Sequence, residues 1–185
     1  MTDRESYVNP VAVQTGVRLH KYPMVRSGGL FLMLLGLGMI GSVLFATGGL
    51  VNNAVFFAGV AVATGSLFLA RRLSYGKPSR TQVMALCGAI FLEVLLMNIV
   101  GRTVAHDLRI RWLWALVVVG THFLPMTLAF GPRMLLLGAL CIANAVLGLA
   151  FASISLFAVV LVDGTLKTAF GMWMLQTKSQ GTASS

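Results

Sequence analysis

Charged residues are scarce in this sequence, and acidic residues are the scarcest. Of its 185 residues, 10% are charged and 57% are hydrophobic, and only five are Asp or Glu. A soluble globular domain carries about 25% charged residues, so a chain with so few could not present a wettable surface. The mean hydropathy of +0.87 therefore indicates that lipid is its solvent, and the length allows one domain.

Cysteine and enzyme signatures are nearly absent as well. The two cysteines, Cys87 and Cys141, both fall inside apolar runs, without the spacing of a disulfide framework or a zinc site. There is no GxSxG, no HExxH and no phosphate-binding loop. We therefore predict neither a cofactor nor a metal, and the sequence favours a protein that is not an enzyme.

The basic residues are numerous but scattered in short segments. The formal net charge is +9, yet Lys and Arg cluster between apolar runs and form no basic face for phosphates, so no nucleic-acid partner is predicted. Ten of them fall in segments that would share one side of a membrane, and three (Arg102, Arg109, Arg111) fall on the other. This positive-inside bias predicts a plasma (inner) membrane protein with both termini cytoplasmic.

Six apolar runs follow a polar segment at residues 1–26, which is predicted to be cytoplasmic and either interfacial or solvated. Each run is near the ~20 residues that a bilayer requires. They cover residues 27–46, 53–70, 83–104, 112–130, 133–150 and 153–175. Residues 176–185, rich in Ser, Thr and Gly, are predicted to be a disordered cytoplasmic tail. The predicted fold is all-α, a polytopic bundle of six transmembrane helices.

Small residues recur at helical spacing in the first two runs, which contain no ionisable residue. The first run has Gly38, Gly41 and Ser42, and the second has Ala54, Ala58, Ala61 and Gly65. Small residues allow helix backbones to approach closely in lipid. We predict that this hairpin is a packing scaffold or the surface of a homo-oligomer.

A polar residue stands near the middle of each of the last four runs. Glu93, His122, Asn144 and Asp163 each lie about 15 Å deep at 1.5 Å per residue, half of a ~30 Å hydrocarbon core. An ionisable group at that depth costs roughly 2.5–3.5 kcal/mol even on lenient insertion scales, and by default it marks a functional site. The four residues are therefore predicted to line one binding site at the midplane.

Three further residues complete the predicted site. Lys167 follows Asp163 by four residues, so the two share a helix face and can pair. That pair is either a plain ion pair or a charge-compensated site that opens when a proton or ion displaces the lysine. Asn98 and Arg102 share a face nearer the outer end of their helix, where they would form an outer mouth, although Arg102 could equally snorkel to the interface.

One stretch carries a family resemblance. His122 lies in the segment His122-Phe123-Leu124-Pro125, in which the proline frees a carbonyl about one turn earlier. With the later segment Arg133-Met134-Leu135-Leu136-Leu137-Gly138, it resembles small six-span bacterial membrane proteins that are uncharacterised. The resemblance implies the six-span fold and no activity.

Three functions remain open from the sequence. The leading one is a small transporter or channel for a small solute or ion, with the midplane site in the last four helices and the bilayer as its surroundings. The second is a structural or partner-binding membrane subunit whose polar residues only hold helices together. The third is an intramembrane enzyme that uses His122 and a carboxylate as an acid–base pair.

Overall fold

The computed structural model describes residues 22–46, 51–69, 77–104 and 107–176, and structural statements below concern those residues. The six helices are α1 (Val25–Leu44), α2 (Asn53–Leu69), α3 (Arg80–Thr103), α4 (Leu108–Phe130), α5 (Arg133–Ala150) and α6 (Leu156–Leu175). The four described ranges contain no strand. The predicted all-helical fold is confirmed. Most of the predicted N-terminal segment, and the tail beyond residue 176, lie outside these ranges.

Five of the helices are long and apolar enough to cross a membrane, and α2 is the exception. Its described part has 17 residues, which at 1.5 Å per residue is about 25 Å, less than a ~30 Å hydrocarbon core. Length and composition therefore support five candidate spans rather than the six that were predicted. The difference concerns the second apolar run, whose helix is described as far as Leu69, one residue short of the predicted bound.

The helices pack in an open arc. Helix α1 packs against α2 on one side and α6 on the other, α6 packs against α5, α5 against α4, and α4 against α3. Smaller contacts join α4 to α1 and α6. Within the described ranges α2 and α3 do not pack against each other, although they are consecutive in sequence. They form the two ends of the arc, with a gap between them.

Glycines bring α1 into close contact with α6. A Cβ atom on Gly29 would lie 2.8 Å from the carbonyl oxygen of Gly171, and one on Gly164 would lie 2.9 Å from that of Gly36. Both distances are shorter than real Cβ contacts, so neither position accepts a side chain without displacing the partner backbone. The seven-residue separation of the glycines on both helices fixes an antiparallel contact over two turns.

The small residues of the first hairpin divide into a packed set and an exposed set. A Cβ atom on Gly38 would lie 2.7 Å from the Cα atom of Gly59, so these two glycines set the α1–α2 contact. The predicted row on α2 points elsewhere: Ala54, Ala58, Ala61 and Gly65 are exposed, and a Cβ atom on Gly65 would meet nothing within 4 Å. Within one chain this row does not contribute to helix packing.

The turn between α5 and α6 lacks glycine and is held by an arginine instead. The guanidinium Nη2 of Arg109, at the start of α4, donates to the carbonyl oxygens of Gly148, Phe151 and Ile154 at 2.7, 3.3 and 3.0 Å. Ser155 then caps α6 by accepting from the backbone N–H of Ala158 at 3.2 Å. Because the carbonyls at the end of a helix have no partner within it, Arg109 supplies what the local sequence does not.

The outward faces of the bundle are apolar, most of all on α2 and α3. Met84 and Phe91 on α3 are 73% and 71% exposed, and Phe68 on α2 is 67% exposed. Only 11% of an 18-residue apolar stretch of α3 is buried inside the fold. Contiguous apolar surface of this extent is rare on soluble monomers.

Candidate functional site

A cavity of about 690 Å³ lies inside the arc and is walled by α1, α2, α3 and α4. Its α4 wall runs from Arg111 to Phe130, about 28 Å at 1.5 Å per residue, so the space is elongated. Met134 of α5 and Lys167 of α6 contribute to the lining between the main walls. The other lining residues are mostly apolar, and Glu93 and His122 are among the few ionisable ones.

Glu93 and His122 form a pair that joins α3 to α4. His122 Nδ1 lies 3.2 Å from Glu93 Oε2 and 3.0 Å from the carbonyl oxygen of Ala89, one turn before Glu93 on the same helix. Because a carbonyl oxygen can only accept, this geometry places a proton on Nδ1. The histidine side chain is 8% exposed and the glutamate side chain 31% exposed. The pair is thus held by the protein on one side and borders the cavity on the other.

Asp163 and Lys167 form the second pair, one turn apart on α6. The ammonium of Lys167 donates to Asp163 Oδ2, and both residues are 0% exposed. The same ammonium lies 3.9 Å from the sulfur of Cys141 and 5.7 Å from the centre of the Phe123 ring. The other carboxylate oxygen, Oδ1, has no hydrogen-bond partner among the described residues. Lys167 contributes to the cavity wall, whereas Asp163 is not among the lining residues.

Asn144 lies apart from both pairs. Its side-chain amide donates to the carbonyl oxygen of Val159 at 2.9 Å, which ties α5 to α6 one turn before Asp163. It is partly buried and is not among the residues that line the cavity. The structure therefore resolves the predicted midplane layer into one ion pair, one histidine–carboxylate pair and one inter-helix hydrogen bond, and of the predicted residues only Glu93, His122 and Lys167 line the cavity.

The predicted outer mouth residues stand on a different face of α3. Asn98 and Arg102 are exposed, and with Phe91, Val94, Leu95 and Ile99 they line a separate surface groove of about 370 Å³. Asn98 donates to the Val94 carbonyl of its own helix at 3.0 Å. On α3 the cavity face contains Leu86, Ile90, Glu93 and Met97 instead. Neither Asn98 nor Arg102 is among the residues that line the cavity.

Several features of the cavity were not predicted from the sequence. Arg111 lines one end of it, although only its membership of a basic loop was noted from the sequence. Trp112 also lines the cavity and meets Phe56 of α2 edge to face, with ring centres 5.1 Å apart. Such contacts join residues distant in the chain, so no local pattern signals them.

The donor chemistry of the site does not suit a metal ion. Within the described ranges, no group of three His, Cys, Asp or Glu side chains is close enough to hold one. The carboxylate of Asp163 is paired with Lys167, and Glu93 offers one carboxylate beside one imidazole.

A family model matches residues 15–184, so the chain belongs to DUF6609, a family of unknown function. No curated protein and no solved structure matches the sequence.

Proposed function

We propose that the protein is a multi-pass membrane transporter that takes a small amphipathic solute into the cavity inside the arc, with the polar part of the solute against Glu93 and His122. One observation carries the proposal: a histidine–carboxylate pair borders an elongated, mostly apolar cavity. Ligand sites combine an apolar lining with a few convergent polar groups in this way. A bare ion is a poorer fit, because most of the wall offers it no ligand.

The outward apolar faces support the membrane setting. In that setting we propose that α2 is a sixth, short span, accommodated by local thinning of the bilayer. The positive-inside bias then places both termini in the cytoplasm. The exposed row of Ala54, Ala58, Ala61 and Gly65 on α2 is the surface through which we propose that copies of the chain associate, since small residues permit close helix contact in lipid.

The Asp163–Lys167 pair and Asn144 are assigned a structural part in this proposal. Both charges of the pair are fully buried, and the amide of Asn144 is used by α6. They stabilise α5 and α6, so the contacts that a solute can exchange are those of Glu93 and His122.

A second candidate function is an intramembrane enzyme acting on a lipid-soluble substrate. The observation in its favour is that Glu93 holds His122 at Nδ1, as a carboxylate orients the imidazole of an acid–base pair. Mass spectrometry of lipid-soluble molecules incubated with the protein distinguishes the two candidates. An enzyme converts its substrate, and a transporter returns it unchanged.

The proposal is tested by thermal unfolding of the protein in lipid nanodiscs with single-chain amphiphiles that share one alkyl chain and differ in head group. A ligand at a hundred times its Kd stabilises the folded state by about 2.7 kcal/mol. At least one member of the series is expected to raise the unfolding midpoint saturably. The shift is lost in His122→Ala and kept in Thr121→Ala, whose hydroxyl bonds to Val117 of its own helix. Absence of stabilisation by every member contradicts the proposal.

A further inference from the structure

Resting on the proposed function, we infer that the ligand is a lipophilic cation, an amine or ammonium carried on an apolar body, which enters from the bilayer through the gap between α2 and α3 and is held by Glu93.

The polar part of the cavity wall presents acceptors. The Nδ1–H of His122 points to the Ala89 carbonyl and to Oε2 of Glu93, so the second carboxylate oxygen of Glu93 does not receive that hydrogen. Glu93 keeps 31% of its side chain exposed, so its carboxylate is open to a ligand. A donor or a cation satisfies the carboxylate of Glu93, whereas an anion would be repelled by it.

The cations near the cavity do not cancel this preference. Lys167 lines the wall, but its ammonium is committed to Asp163. Arg111 lines one end of the cavity. It lies eleven residues before His122 on α4, which is about three helical turns away. Glu93 therefore lies nearer the middle of the cavity than Arg111, and a ligand can reach its carboxylate.

Aromatic rings surround the same space. Ring faces attract cations, and the attraction strengthens when the cation is desolvated. An apolar body fits against these rings while the ammonium meets Glu93. The aromatic residues of the lining are Phe31, Phe56, Phe57, Trp112, Phe123 and Phe130.

The gap between α2 and α3 supplies the route. Phe57 on α2 and Ile90 on α3 both line the cavity and are 66% and 49% exposed, so neither side chain is covered by the other helix. The helices do not pack against each other over their described residues, and their outer faces are apolar. In the proposed membrane this opening faces hydrocarbon, which admits a lipid-soluble cation and excludes a hydrated one.

Trp112 is a built-in reporter of occupancy. Two versions of the full chain in nanodiscs are needed: one keeps Trp112 alone, with Trp114→Phe and Trp173→Phe, and the other keeps Trp114 alone. Trp114 is 42% exposed and is not among the lining residues, so it reports quencher dissolved in the surrounding lipid at a similar depth. The probes are dodecylammonium, dodecanol and dodecanoate, each brominated on the chain so that it quenches tryptophan fluorescence.

We expect saturable quenching of Trp112, beyond that of Trp114, that is strongest for the ammonium. Hydrogen bonds to charged groups are worth enough to change affinity about tenfold or more. Glu93→Gln should therefore weaken the ammonium about tenfold relative to the alcohol, whose binding also reports that the variant is folded. Equal or tighter binding of dodecanoate in the unchanged chain overturns the inference while leaving the proposed function standing. Failure of all three probes to quench Trp112 saturably overturns both.

The route is tested by the rate of quenching. Ile90→Phe adds bulk at the gap, and Met84→Phe adds it to the outer face of the same helix, where Met84 is 73% exposed and is not among the lining residues. Stopped-flow mixing should show slower Trp112 quenching by the ammonium in Ile90→Phe and an unchanged rate in Met84→Phe. Identical rates in the two variants overturn entry through this gap.

Discussion

At the scale of single residues, the Asp163–Lys167 and Glu93–His122 pairs differ in what surrounds them. Asp163 and Lys167 are 0% exposed, whereas the side chain of Glu93 is 31% exposed. A buried charge without its partner retains the full cost of leaving water, so a closed pair behaves as one unit. An open pair can exchange its partner for a ligand. This contrast is the physical ground for assigning stability to the first pair and binding to the second.

Lys167→Met should destabilise the protein by about 3–5 kcal/mol, because it leaves the carboxylate of Asp163 buried and unpaired. Lys167→Met combined with Asp163→Asn should recover most of that loss, since the double variant removes both charges. The measurement is the thermal unfolding midpoint in nanodiscs, together with folded yield. Equal losses in the single and double variants would show that the pair does not act as a unit.

Arg109 gives a second prediction at this scale. Its guanidinium binds three main-chain carbonyls at the α5–α6 turn, and hydrogen bonds to charged groups contribute about 1.5–3 kcal/mol. Arg109→Ala should therefore lower the stability by about 2 kcal/mol or more. Arg102→Ala, which removes an exposed arginine from the end of α3, is the matched control and should change stability little. Similar effects of the two substitutions would rule out a special role for Arg109.

At the scale of helices, glycine decides how closely α1 and α6 approach. A Cβ atom on Gly171 would lie 2.5 Å from the backbone nitrogen of Met33 and 2.6 Å from the carbonyl oxygen of Gly29. These neighbours are backbone and cannot rotate away. The contact between α1 and α6 therefore does not accept even one added methyl group.

Gly171→Ala should destabilise the bundle by about 1–3 kcal/mol through overpacking. Gly88→Ala on α3 is the matched control, because a Cβ atom there meets nothing within 4 Å. Replacing a glycine inside a helix by alanine at an open position should stabilise by up to about 1 kcal/mol. Unfolding midpoints of the two variants should thus move in opposite directions, and a common direction would contradict the packing described for α1 and α6.

The sequence predicted the helices, and the pairs within one helix, better than the contacts between helices. Period and composition predicted an all-helical chain, because an apolar run of this length has few other stable forms in lipid. The four-residue spacing predicted the Asp163–Lys167 pair, since it depends only on helix geometry. The sequence predicted Glu93 and His122 at one depth but did not pair them. Their contact depends on how α3 lies against α4.

The cavity and the Arg109 contacts could not be predicted from the sequence, because both depend on how segments distant in the chain pack together. The carbonyls that Arg109 binds belong to residues 148, 151 and 154, and main-chain acceptors carry no sequence signal. The cavity exists because α2 and α3 fail to pack against each other, which is a property of the whole arc. A row of small residues on α2 suggested packing with α1, yet that contact uses Gly59.

At the scale of the whole molecule, the proposed direction of the chain across the bilayer rests on loop charge and on whether α2 crosses. Four basic residues (Arg71, Arg72, Lys77, Arg80) surround the α2–α3 connection, and the α1–α2 connection has none. This charge difference favours a cytoplasmic α2–α3 connection.

Cysteine labelling tests both the orientation and the sixth span. Asn53→Cys and Lys77→Cys introduce probes at exposed positions on either side of α2, in a background with Cys87→Ser and Cys141→Ala. They leave in place Asn52, which accepts from the N–H of Val55 at 3.2 Å, and Ser79, which accepts from that of Gln82 at 3.2 Å. A membrane-impermeant maleimide added outside intact cells should modify the probe at position 53 and spare the probe at position 77. The reverse pattern would invert the orientation, and equal labelling of both would mean that α2, the shortest helix, turns back without crossing.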